Sequence, residues 1–70
     1  MNKKSTTQLE IAKNTRQFLT KYGLKQKFVA KICMIPETTF SEFLNGKIVL
    51  NSAQIERIIA YVEDYKRRNG

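Results

Sequence analysis

Apolar residues recur every three or four positions along nearly all of this chain, and nowhere do they alternate over a useful length, so helices are what it can build. In residues 7 to 22, Ile11, Thr15, Phe18 and Tyr22 share one face, with Ala12 and Leu19 beside them. Gly23 ends that helix. A second helix, about 25 to 33, places Phe28, Val29, Ile32 and Cys33 on one side and Lys27 and Lys31 on the other. A third, about 36 to 45, opens on Pro36, whose φ is already helical, and stops at Asn45-Gly46. Asn51 can then cap a fourth helix, about 52 to 66, while Gln54 reaches back and Leu50 packs on Ile55. The stripe of that helix is Ile55, Ile58, Ile59, Val62 and Tyr65, with Tyr61 at its edge. The segment KIVLN, 47 to 51, is short for a strand and reads as an apolar connection.

An all-α fold of these helices fills one domain, residues 1 to 70, because 70 residues build only a single modest core. The lone Cys33 allows no intrachain disulfide. With no histidine, a metal site would need carboxylates or a second chain, and a Ser or Cys nucleophile would lack its usual base. Cys33 sits in an apolar setting, KICMI, where a thiol is packing. Gly23, Gly46 and Gly70 are too far apart for a phosphate-binding loop. The expectation is therefore a protein that is not an enzyme and takes no metal or cofactor. No stretch approaches the roughly 18 apolar residues of a membrane span, and MNKKSTTQLEIAKN has positive charge without an apolar run behind it, so the expected location is the cytoplasm.

The third helix is unusual in a chain of net charge +7. At about 100° per residue, Phe40, Phe43 and Leu44 fall together with Pro36, whereas Glu37, Thr38, Ser41, Glu42 and Asn45 fill the opposite arc, with Thr39 at the border. An ordinary solvated face carries long side chains of high helix propensity; Ser, Thr and Asn are poorer helix formers. Short polar groups let a helix approach another surface closely while offering donors and acceptors, as entry into a DNA major groove requires.

Residues 23 to 47, GLKQKFVAKICMIPETTFSEFLNGK, resemble the lambda-repressor-like helix-turn-helix family, the Cro/C1 or xenobiotic-response-element type, over 25 residues without a gap. Gly23, Leu24, Gln26, Ala30, Thr39, Phe40, Asn45, Gly46 and Lys47 carry the resemblance. Ala30 falls where two helices must cross closely. Met34 stands where the family usually has glycine, so the turn is either strained or shaped differently. Pro36 replaces a capping serine, which moves the cap elsewhere or the helix start by one residue. Leu19 and Leu44 replace a buried arginine–glutamate pair found in many members; replacing both ions together is what buried-charge energetics favour. Members often have five helices, and this chain has length for four, the last being long.

The resemblance implies a sequence-specific regulator of transcription that binds double-stranded DNA, a repressor of phage or mobile-element type. Glu37, Thr38, Ser41 and Glu42 would read bases, a glutamate accepting from a cytosine amino group and a threonine touching a thymine methyl. Lys25, Gln26, Lys27, Asn45 and Lys47 would hold phosphates, Gln26 together with its helix's first amides. Lys3 and Lys4 would form an N-terminal arm, with Lys66, Arg67 and Arg68 as a basic end. Ile58, Tyr61, Val62 and Tyr65 would form a homodimer contact, unless the tyrosines cap the monomer core instead. Two competing readings remain. Glu37 and Glu42 would also suit a basic protein partner, as in an antitoxin, anti-repressor or inhibitor, and a small helical dimerisation domain has the same composition.

Overall fold

Three left-handed residues, Gly23 at φ 66°, Met34 at φ 60° and Gly46 at φ 76°, divide the chain into helices. The computed structural model describes residues 3–69, and side chains over 8–69. It contains α1 (Lys3–Tyr22), α2 (Gln26–Ile32), α3 (Glu37–Leu44) and α4 (Ser52–Asn69), and among the described residues there is no strand. None of these helices is long and apolar enough to cross a membrane.

Each left-handed residue closes a helix in the same way. Leu24 donates its N–H to the carbonyl of Leu19 at 2.9 Å, Ile35 to Ala30 at 2.9 Å, and Lys47 to Glu42 at 2.9 Å. The left-handed residue itself donates to Thr20, Lys31 and Phe43 respectively, completing the paired bonds of a Schellman motif. Glycine occupies two of the three positions without steric cost. Met34 occupies the third with its side chain 68% exposed, so packing does not offset the left-handed strain of about 1 to 2 kcal/mol. Met34→Gly should raise stability by about 0.5 to 1 kcal/mol, the strain relieved less the extra flexibility of an unfolded glycine. An unchanged or lowered melting temperature would show that the turn is relaxed.

Expected boundaries shift where capping decides them. Lys25 and Cys33 cap α2, and Pro36 and Asn45 cap α3, so each of these helices is one residue shorter at either end than the sequence pattern indicated. Pro36 is the N-cap, at φ −55° and ψ 140°, rather than a first-turn residue, and it is exposed. α1 begins four positions early and takes Lys3 and Lys4 into its backbone in place of an arm; their side chains lie outside the described residues. α4 runs on to Asn69, helped by Arg68–Asp64, an i,i+4 pair at 3.2 Å, and by Asn69 Nδ2 donating to the Tyr65 carbonyl. The capping box at its start is complete: Gln54 donates its N–H to Asn51 Oδ1 at 2.8 Å, and Asn51 donates to Gln54 Oε1 at 3.2 Å.

All four helices contribute to the core. Ala12, Phe18 and Leu19 of α1 meet Val29 and Ala30 of α2, Phe40, Phe43 and Leu44 of α3, and Ile58 of α4. Ile35 from the turn and Leu50 from the last connection close it. Leu19 and Leu44 are both buried. The α2 face is rotated from the expected one. Val29, Ala30 and Cys33 point inward, whereas Phe28 is 53% and Ile32 46% exposed. On α4, Tyr61 is no edge residue. It lies with Tyr65 against Phe18 of α1, ring centroids 6.2 and 5.4 Å apart at 89°, while Tyr22 closes the cluster 5.0 Å from Tyr65. Ile59 turns outward in its place.

Gln8 fastens the last connection to α1. Its side-chain amide donates to the Leu50 carbonyl at 2.9 Å and accepts the Leu50 N–H at 3.1 Å, serving both backbone groups of a buried residue. Gln8→Ala leaves both unpaired and should lower urea stability by about 1 to 3 kcal/mol. A smaller loss would mean that water replaces the amide.

Candidate nucleic-acid interface

α3 presents the polar face read from its sequence. Phe40, Phe43 and Leu44 anchor it in the core, Thr39 and Ser41 are half-buried at the borders, and Glu37, Thr38, Glu42 and Asn45 are exposed. Three large apolar anchors in eight residues hold the helix rigidly, so the outward side chains are presented on a fixed backbone. Among the described residues neither Glu37 nor Glu42 is paired with a cation. Neither Lys31 nor Lys47 forms an ion pair with either glutamate. Asn45 is the C-cap of α3, and Lys47 follows the left-handed Gly46, exposed at the helix end.

The start of α2 supplies a second group. Lys25, Gln26 and Lys27 are exposed, and Lys25 at the N-cap makes no side-chain capping bond. Among the described residues, neither the N-cap of α2 nor that of α3, Pro36, offers a side-chain bond to the first amides of its helix. Gln26 lines a cleft of about 380 Å³ with Arg16, Leu19 and Thr20 of α1. Arg16 also borders Lys13 and Lys21 along the outer face of α1. Sequence reading did not include Arg16 in the site; the spacing of Lys13, Arg16 and Arg16's neighbour Thr20 on one helical face was the available signal.

The expected dimer residues are placed differently. Ile58 is 1% exposed and belongs to the monomer core, so it offers almost no surface of its own. Tyr61, Val62 and Tyr65 are half-buried against that core. The tyrosines thus do what the alternative reading gave them, capping the core through Phe18 and Tyr22. Burial pushes the Tyr61 hydroxyl above its ordinary value, with smaller contributions from Tyr65 and Cys33. Burial also raises the Cys33 thiol, against a smaller pull from Arg57, and its Sγ donates to the Arg57 carbonyl at 3.8 Å.

Comparison with protein-family models, with curated proteins and with solved structures finds no match to this chain.

Proposed function

We propose that this chain is a sequence-specific double-stranded DNA-binding regulator of transcription, a cytoplasmic repressor of the Cro/C1 type, with α3 entering the major groove. The observation that carries this reading is the outward face of α3, short polar side chains on a helix anchored by Phe40, Phe43 and Leu44. Glu37, Thr38 and Ser41 would meet base edges, with Glu42 further round the helix. Lys25, Gln26, Lys27 and Lys47 would take phosphates, joined by Arg16 through its cleft with Gln26. Two protomers would read half-sites about 10 base pairs apart.

Selection of bound duplexes from a random pool tests this directly. Thr38→Ala or Glu37→Ala should change the preferred base at one position, by about 1 to 3 kcal/mol, whereas Gln26→Ala, Lys47→Ala and Arg16→Ala should weaken all duplexes alike. An unchanged preference in both α3 variants would remove α3 from the groove. A protein-binding role is the second reading, favoured by the free carboxylates of Glu37 and Glu42. It is the one left if no duplex is enriched.

A further inference from the structure

We propose that copies of this chain associate by seating the outer face of α2 from one copy in the groove between α1 and α4 of another. This contact forms without DNA and lies away from the outward face of α3, although it shares Lys27 with the proposed phosphate-binding group. The outer face of α2 is half apolar and half cationic: Phe28 and Ile32, one turn apart, are 53% and 46% exposed, beside exposed Lys27 and Lys31. Two large apolar side chains turned outward on a helix of seven residues form a contiguous patch, not scattered exposure. No acidic residue occurs between Glu10 and Glu37, so the surroundings of this patch in sequence are wholly basic or neutral.

The complement lies on the same chain. Ile11 of α1 and Ile58, Ile59 and Val62 of α4 line a groove of about 160 Å³, room for one aromatic side chain, with Glu63 and Lys66 also in its wall. Ile59 is 38% exposed there, and Glu56 lies one turn before it on the same side of α4. Three of the six acidic residues, Glu56, Glu63 and Asp64, are on α4. α4 also carries Arg57, Lys66, Arg67 and Arg68, but along the line of Ile59 the two carboxylates Glu56 and Glu63 outnumber Lys66, so this part of the groove matches an apolar pair edged by lysines in size and in local sign. Phe28 would fill the groove, with Lys27 and Lys31 facing Glu56 and Glu63. Two different patches make a heterologous contact, which closes as a reciprocal pair or runs head to tail.

Sedimentation equilibrium on the full chain, without DNA, tests the contact. The wild type should exceed monomer mass at high micromolar concentration. Phe28→Ser/Ile32→Ser and Ile59→Ser should each weaken association about tenfold or more, and an equimolar mixture of the two should restore a 1:1 complex, because one intact pair of patches survives between them. Surface charge reversal avoids any loss of fold: Lys27→Glu/Lys31→Glu and Glu56→Lys/Glu63→Lys should each reduce association, and mixing them should restore it. A wild type that remains monomeric at about 1 mM overturns the proposal. So does a mixture of well-folded variants that stays monomeric.

Discussion

Affinity for duplex DNA should fall about ten-thousandfold when monovalent salt is raised from about 50 to about 200 mM. About four phosphate contacts per protomer and two protomers give eight displaced counterion sites, and about 0.9 per phosphate makes the log–log slope near −7. A protomer bound alone would give a slope near −4, so the same titration also counts copies. Arg16→Ala should make the slope shallower by about one per protomer if the Arg16–Gln26 cleft faces a phosphate. A flat response would end the DNA reading, because a basic chain that reads duplexes cannot avoid releasing counterions.

The helices and their ends were largely legible in the sequence because local chemistry decides them. Asn51 and Gln54 sit three apart and do what that spacing implies, and Gly23 and Gly46 take up the left-handed turns. Faces were harder. From Phe28 to Met34, across the end of α2 and its turn, every residue but Lys31 is apolar, and so short a helix offers two nearly equal stripes. Val29, Ala30 and Cys33 turn inward beside the buried turn residue Ile35, and the small Ala30 does not mark that face by its size. α4 has the same ambiguity, with Ile55, Ile59 and Val62 beside Ile58, Tyr61 and Tyr65. Ile58 is buried, Ile55, Tyr61, Val62 and Tyr65 pack partly against the core and only Ile59 turns out, because the aromatic rings of α1 draw Tyr61 inward, a preference visible only when α1 and α4 are side by side. The Gln8–Leu50 pairing spans 42 positions, and no local pattern marks it. The polar arc of α3 was readable because Phe40, Phe43 and Leu44 leave a single inward face.

Leu44→Glu should remove much of the chain's stability at neutral pH, and adding Leu19→Arg should recover much of the loss. Leu44 is fully enclosed, and a carboxylate placed there alone is a buried charge without a partner, worth about 3 to 5 kcal/mol of destabilisation. A domain of this length has about 4 to 10 kcal/mol in all. Leu19→Arg by itself should be milder, since a long side chain at the edge of the core can carry its guanidinium to water. If the resemblance over residues 23 to 47 sets the right register, positions 19 and 44 face each other, and urea unfolding of the four proteins should give a favourable coupling of up to about 3 kcal/mol. Simple additivity would break that register without any reference to DNA. The pH dependence supplies a second sign. In the single variant, burial holds the introduced carboxyl above its unfolded value near 4.3, so stability present below that pH is lost as pH rises through the folded value. In the double variant, the guanidinium holds it below 4.3, so stability is present above that pH and is lost as pH falls through the folded value. A slope of the same sign in both would mean that the two side chains do not meet.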